Sequence, residues 1–185
     1  MTGFGRTGKL FATDYITTKP DLVCLSKGLT GGAMPMGLTV CTDEIYNAFL
    51  SNDHSKTFFH GHSFTGNPLA CAAACASLDL LEKEDAWDQI EMIISNHDLF
   101  KSKIEIHPKL KDVRQTGTII AIEFKTDEST SYFNNLRDEL YNFFLNKRVL
   151  LRPLGNTIYI LPPYCIKKDE LDIIYAAIEE FLNKN

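Results

Sequence analysis

DLVCLSKGLTGG, at residues 21–32, is the stretch from which the fold of this chain is predicted. A short apolar run at residues 22–25 stops before Lys27 and is followed by glycines at 28, 31 and 32. An apolar run bounded by turn residues is typical of a buried strand, and α/β sheets bind ligands where their strands end. The pattern therefore predicts that Lys27 lies at a ligand site.

Lys27 has two interpretations at such a position. In a dry, enclosed site the ammonium form is disfavoured, and the neutral amine is a nucleophile that can form a Schiff base with an aldehyde. The alternative is an ordinary lysine whose amine reaches solvent past the edge of the sheet, because lysine is rarely buried. The strand and the glycines alone leave both open.

Composition excludes several classes of protein. At 185 residues, with 44% hydrophobic and 23% charged side chains, the chain can form a packed core in one domain or two small ones. A net charge of -5 argues against nucleic acid or an anionic membrane as a partner. The most apolar segment is too short to span a bilayer, and no signal-peptide pattern follows Met1. Five cysteines without paired spacing fit reduced thiols, so we expect a cytoplasmic protein.

Two short motifs suggest other ligands. GFGRTGK at residues 3–9 has the glycines of a dinucleotide-binding loop, but no strand precedes it and no helix pattern follows it. Read as a P-loop, the segment has Leu10 where a serine or threonine hydroxyl must bind magnesium, which argues against that motif. A nucleotide binder is nevertheless the alternative from a different class of function. His54, His60 and His62 lie in one loop without a carboxylate or cysteine at a supporting spacing, and we expect no metal site.

Hydrophobic periodicity and capping residues predict the other elements. Thr42 is expected to cap a helix at residues 43–50, and Asn67 a helix that begins at Pro68. Further helices are expected at residues 85–106, 132–147 and 169–182, the first of them as a connector between two domains. Further strands are expected at residues 36–41, 118–124, 149–151 and 157–161.

Four segments in one order resemble the class III, pyridoxal-phosphate-dependent aminotransferases. They are MTGFGRTGKLFA at 1–12, SKGLTGG at 26–32, FFHGHSFTGNPLACAAA at 58–74 and LLRPLGNTIYILPPY at 150–164. The resemblance covers the whole chain but less than half of the family's protein. It implies an α/β fold class, namely the C-terminal part of a fold-type I transferase. The end of the large cofactor-binding α/β domain would occupy residues 1–106, and a small α+β C-terminal domain residues 107–185.

The resemblance also implies the roles of single residues. Lys27 would bind pyridoxal 5'-phosphate and act as the catalytic base, since a freed amine can move a proton. His62 and Ser63 match the positions that bind the cofactor phosphate of the neighbouring subunit, and Gly61 matches one that lies against substrate. The hydroxyl of Ser63 suits an anion, whereas many family members have no histidine at position 62.

Two further positions match residues that bind the substrate. Arg152 matches the arginine of an R-P-x-G segment that binds the substrate carboxylate, which a guanidinium can do through two parallel hydrogen bonds. Tyr159 matches a tyrosine that lines the same pocket.

The implied activity is transamination of 8-amino-7-oxononanoate to 7,8-diaminononanoate in biotin biosynthesis. S-adenosylmethionine is the implied amino donor, and a homodimer with a shared active site is the implied assembly. The segment HGHSFTGN at 60–67 also resembles a lysine-using variant, and another class III omega-aminotransferase is a further alternative. The aspartate that pairs with the pyridine nitrogen would precede Met1. A catalytically incomplete fragment, or a split subunit that needs its N-terminal half, is therefore the main rival.

Overall fold

The computed structural model describes residues 1–184 and divides into two compact units. The first unit consists of Met1–Phe4 and Lys9–Glu84, and the second of Gly5–Gly8 and the chain from Asp85 onward. The units divide after Glu84, so the helix expected as a connector belongs to the second unit. The expected domains 1–106 and 107–185 of a longer protein stay a prediction.

The first unit is built on an antiparallel hairpin that carries Lys27. Its strands are β1 (Leu22–Ser26) and β2 (Gly37–Cys41), which pair from Leu22 with Cys41 to Ser26 with Gly37. Both strands were expected from the sequence. The burial expected for β1 is wrong, because its side chains alternate between exposed and half-buried. The described residues add no third strand to this sheet.

Two helices follow the hairpin, α1 (Asp43–Asn47) and α2 (Pro68–Leu81). The predicted cap of α2 is confirmed, since the side chain of Asn67 accepts hydrogen bonds from the amides of Leu69 and Ala70 at 2.9 and 3.2 Å. Thr42 precedes α1 at the predicted capping position, but the capping hydrogen bond expected of its side chain is absent. Helix α1 is also shorter than the predicted 43–50.

The second unit is a layer of helices on a three-stranded antiparallel sheet. The strands, in the order β3-β4-β5, are β3 (Leu110–Thr116), β4 (Ile119–Phe124) and β5 (Thr157–Ile160). The helices are α3 (Glu84–Ile104), α4 (Leu136–Asn146) and α5 (Lys168–Asn183). Their apolar faces and the sheet form one core, in which Ile93, Ile122, Leu140, Ile158 and Ile178 are fully buried.

The structure of this unit differs from the sequence prediction in three places. Strand β3 was missed because a bulge between Leu110 and Asp112 breaks the alternation of apolar and polar residues. No strand forms at residues 149–151. There Arg148 adopts a left-handed conformation (φ 60°) and turns the chain, so that apolar side chains enter the core without strand pairing. Helix α4 begins at Leu136 rather than at residue 132, because Asn134 holds the preceding loop through its side chain.

His97 joins three elements inside the second unit. It lies on α3 and is fully buried, with Nδ1 2.6 Å from the hydroxyl of Tyr175 and Nε2 3.2 Å from the carbonyl of Thr118. A carbonyl only accepts, so Nε2 donates to Thr118 and Nδ1 accepts from Tyr175. Burial lowers the pKa of His97 from its ordinary 6.5 to about 4, and its ring is neutral at physiological pH.

We expect the free energy of unfolding to fall as the pH drops below the ordinary pKa of histidine. The unfolded chain binds a proton at His97 near pH 6.5, whereas the folded chain does so only near pH 4. The contribution of neutral His97 to the free energy of unfolding is therefore complete above pH 6.5 and is lost as the pH falls towards 4. At about pH 5 the loss should be about 2 kcal/mol. Urea unfolding at several pH values measures the loss. His97→Gln should flatten this dependence, and an unchanged slope in that variant would contradict the assignment.

Candidate active site

Lys27 is the first residue of a 3₁₀ turn, Lys27–Thr30, that follows directly on β1. Its backbone is left-handed, with φ 53°, a conformation that costs a non-glycine residue roughly 1–2 kcal/mol. The side chain is exposed, and its amine has no hydrogen bond or ion pair with any residue in the described range 1–184. Of the two interpretations that the sequence leaves open, the described residues show the side chain reaching solvent, and a ligand site at Lys27 stays a prediction.

The turn after Lys27 is nevertheless well fixed. Leu29 and Thr30 are buried, and the hydroxyl of Thr30 donates to the carbonyl of Met34. On the other side, the hydroxyl of Ser77 on α2 donates to the carbonyl of Gly28 at 3.3 Å. No sequence pattern indicates this role of Ser77, which lies about fifty residues from Gly28 in a helix whose composition predicts only close packing.

The loop after residue 58 contains the predicted phosphate-binding pair. Nδ1 of His62 accepts from the amide of Phe64 at 3.1 Å, and the amide of His62 donates to Oγ1 of Thr65 at 3.0 Å. His62 thus shapes the loop through its own backbone and ring. Ser63 is exposed, and neither its hydroxyl nor its amide bonds to another described residue, so both donors are available to an anion.

Gly61 precedes this pair and is not required by the fold. A Cβ added at this position would have Oγ1 of Thr65 at 3.8 Å as its nearest neighbour, which is an ordinary contact. A need for glycine at this position would therefore come from a bound molecule or another chain. Gly61 and His62 both line a cleft of about 900 Å³ with Met36, Phe58 and other apolar side chains, whereas Lys27 does not line it.

Arg152 and Tyr159 belong to the second unit, and the other predicted site residues to the first. Arg152 is exposed between the buried residues Leu151 and Pro153, and its guanidinium has no partner among residues 1–184. Tyr159 is half-buried on β5, opposite Ala121 of β4. Their substrate-binding roles stay predictions.

Residues Gly5–Gly8 of the GFGRTG segment form a packed turn of the second unit. The amide and hydroxyl of Thr118 donate to the carbonyl of Arg6 at 3.0 and 3.1 Å, and the guanidinium of Arg6 donates to the carbonyl of Pro162. Arg6 also lies 4.3 Å from the ring centroid of Tyr164, whose pKa burial raises to about 12. A segment tied to its surroundings in this way argues against a phosphate-binding P-loop.

Residues 1–184 contain neither a cluster of metal-ligating side chains nor a helix that could span a membrane. No three histidine, cysteine, aspartate or glutamate side chains in that range converge as metal ligands. None of the helices described there is long and apolar enough to cross a membrane.

A family model described as aminotransferase class-III matches residues 1–182. Because the match covers nearly the whole sequence, this chain belongs to the class-III aminotransferase family. Among its relatives is the adenosylmethionine-8-amino-7-oxononanoate aminotransferase of Synechococcus elongatus, which is 44% identical over 187 residues. That alignment covers 100% of this chain and 43% of the relative, so the chain spans less than half the length of that protein.

Solved structures agree with this classification. The adenosylmethionine-8-amino-7-oxononanoate aminotransferase of Methanocaldococcus jannaschii superposes with a TM-score of 0.85 at 39% identity, over 97% of this chain and 44% of that one. An amine transaminase from an uncultivated Pseudomonas species, solved in its PLP-bound form, gives a TM-score of 0.84 at 30% identity, over 96% and 41%. The predicted fold class, an α/β fragment of a pyridoxal-phosphate-dependent transaminase, is confirmed.

Proposed function

We propose that this chain is part of an aminotransferase that converts 8-amino-7-oxononanoate to 7,8-diaminononanoate in biotin biosynthesis. The observation that carries the proposal is the unpaired amine of Lys27, held in a strained left-handed turn at the end of β1. Backbone strain of this kind persists mainly at functional sites. The names of relatives at 34% to 44% identity supply the substrate.

The residues present fit pyridoxal 5'-phosphate as the cofactor. The group needs an amine for its aldehyde and donors for its phosphate, and Lys27 and Ser63 each have such a group without a partner among the described residues. Bound pyridoxal phosphate supplies an aldehyde for an amine and a ring that stores the electron pair released at the amino-bearing carbon. Lys27 would hold the aldehyde end of the cofactor in its own subunit. Ser63, with His62 beside it, would bind the phosphate of the cofactor held by the neighbouring subunit.

The side chains of this chain would then divide the work of transamination. Nζ of Lys27 would act as the base that takes a proton from the amino-bearing carbon of the donor. The guanidinium of Arg152 would bind the carboxylate of the keto substrate through two parallel hydrogen bonds, with Tyr159 and Gly61 lining the substrate pocket. Because the amino donor and the keto substrate would bind one after the other, we expect ping-pong kinetics.

We further propose a cytoplasmic homodimer with a shared active site. The loop that carries Ser63 is flanked by uncovered aromatic side chains, since Phe59 is 85% and Phe64 73% exposed. Uncovered aromatic residues of this kind are enriched where another protein chain binds. Five free cysteines suit a reducing compartment.

S-adenosylmethionine is the donor we favour, on the names of the relatives and on the Tyr159 segment. Lysine is the alternative donor, since residues 60–67 resemble a lysine-using variant. Because the chain covers less than half of its relatives, it is also proposed to be incomplete by itself, and to gain activity only with the missing half.

Covalent labelling tests the proposal on the chain as it is. The chain is mixed with pyridoxal phosphate, reduced with borohydride, digested, and the modified lysine is located by mass spectrometry. A label concentrated on Lys27 would support the proposal. A label spread over surface lysines would indicate a fragment that is inactive by itself. Protection of the chain by ATP, with no label on Lys27, would contradict the proposal in favour of a nucleotide binder.

Arg152→Ala is expected to raise the KM of the assembled enzyme for the keto substrate by roughly 10–100-fold, because a charge-assisted pair with the carboxylate is lost. The KM for the amino donor should change little. Arg152→Lys is the matched control, since it keeps the charge but loses the two parallel hydrogen bonds. Its KM for the keto substrate should lie between those of the unaltered enzyme and of Arg152→Ala. The exposed position of Arg152 predicts unchanged urea unfolding in both variants.

A further inference from the structure

The strained conformation of Lys27 needs neighbours that maintain it. A left-handed residue other than glycine relaxes unless the surrounding structure holds the adjoining backbone. The carbonyl of the next residue, Gly28, accepts a hydrogen bond from the amide of Gly31 at 3.0 Å, and this bond closes the turn. Whatever holds Gly28 therefore also decides the direction in which Lys27 leaves β1.

Phe4 lies directly against the backbone of Gly28. A Cβ built on Gly28 would meet Cδ2 of Phe4 at 2.8 Å, closer than such contacts are in real proteins, and Cβ of Phe4 at 3.4 Å. Phe4 is only 9% exposed, and its ring stands edge-on to that of Phe11 with the centroids 5.6 Å apart. The ring is therefore fixed at this position by its own neighbour.

Ser77 also contacts Gly28, through a hydrogen bond to the Gly28 carbonyl. Its hydroxyl on α2 donates to the carbonyl of Gly28 at 3.3 Å, and a Cβ on Gly31 would lie 3.3 Å from the same hydroxyl oxygen. The turn thus packs closely on α2. Phe4 and Ser77 come from opposite ends of the first unit's sequence and both contact Gly28.

We propose that Phe4 and Ser77 are positioning residues for Lys27. They fix Gly28, and through it they hold the left-handed backbone that orients the amine. Neither side chain touches a reacting atom. The inference rests on the proposed function, because the orientation of Lys27 matters for chemistry only if its amine binds the cofactor.

Hydrogen exchange on the full chain tests the positioning without any activity assay. The probes are the amides of Gly31 and Ala33, which donate to the carbonyls of Gly28 and Thr30. Phe4→Ala is expected to speed their exchange about tenfold, because the turn then opens more often. Phe4→Leu, which keeps an apolar side chain against Gly28, should restore most of the protection. Phe49→Ala is the matched control, since Phe49 packs on another aromatic ring, Phe58, and should leave these amides unchanged.

Labelling with pyridoxal phosphate and borohydride gives the second measurement on the same variants. We expect the share of label on Lys27, relative to the other lysines, to fall in Phe4→Ala and to recover in Phe4→Leu. Ser77→Ala removes only a hydroxyl and keeps the helix, and it should show the same changes at a smaller size, about threefold in exchange.

Two results would overturn the positioning role. One is unchanged exchange at Gly31 in both Phe4→Ala and Ser77→Ala. The other is an equal change in Phe49→Ala, which would indicate general loosening of the first unit. If the unaltered chain carries no label on Lys27, the proposed function fails, and the exchange rates alone then decide whether Phe4 and Ser77 hold the turn.

Discussion

Lys27→Gly is expected to lose all specific attachment of pyridoxal phosphate and, at the same time, to make the chain more stable. The amine has no hydrogen bond or ion pair with residues 1–184 that the substitution could remove. Glycine adopts φ 53° without the penalty that lysine has there. After subtraction of the larger entropy that glycine loses on folding, the gain should be up to about 1 kcal/mol. Urea unfolding measures the gain, and mass spectrometry after borohydride reduction measures the attachment.

Two other substitutions separate the causes of that result. Lys27→Arg keeps the positive charge and the strain but has no amine, so it should lose the label without gaining stability. Lys56→Gly changes an exposed lysine outside the left-handed region, and it should keep the label on Lys27 and lose a little stability. A lower stability in Lys27→Gly than in the unaltered chain would show that the turn is not strained.

Gly117→Ala is expected to destabilise the second unit by more than about 3 kcal/mol, because backbone overlap adds to conformational strain. Gly117 lies between β3 and β4 with φ 57°. A Cβ there would be 2.2 Å from the carbonyl carbon of Thr7 and 2.5 Å from the amide nitrogen of Gly8. These are backbone atoms that cannot rotate away, so the Gly5–Gly8 segment would have to leave its place and give up the contacts of Arg6.

Gly32→Ala provides the control for the conformational part of that effect. Gly32 is also left-handed, with φ 84°, but a Cβ there meets nothing within 4 Å. It should therefore lose only about 1 kcal/mol, the cost of the backbone conformation. Far-UV circular dichroism follows the unfolding of both units, and the fluorescence of Trp87, the single tryptophan, which lies on α3 in the second unit, reports the loss in Gly117→Ala separately. Similar losses in the two variants would contradict the close approach of Gly5–Gly8 to Gly117.

The elements with regular side-chain patterns could be predicted from the sequence. Helix α5 places Leu171, Ile178 and Leu182 on one buried face, and its predicted bounds, 169–182, differ from the observed ones by one residue at each end. Asn67 followed by Pro68 marked the start of α2 because both residues have a local reason to be there. Strand β3 escaped prediction, since a bulge shifts the side-chain alternation on which strand prediction depends.

The candidate site was less accessible to prediction than the fold. The strand and the glycines identified Lys27, but a sequence does not reveal backbone dihedral angles, so its left-handed conformation was not foreseen. Its exposure matches the solvent-reaching lysine, which was one of the two interpretations that the strand and the glycines left open. The contacts of Phe4 and Ser77 with Gly28 join residues far apart in the sequence, and no local pattern indicates them.

The isolated β1–β2 hairpin also has a consequence for handling the chain. Its strands pair only with each other in the described range, so the outer amides and carbonyls of this ribbon remain accessible, while Leu22, Leu38 and Val40 present apolar surface to water. Open strand edges beside apolar surface recruit strands from other molecules. Concentrated solutions of the chain should therefore aggregate through this ribbon, and charged substitutions on it should improve solubility first.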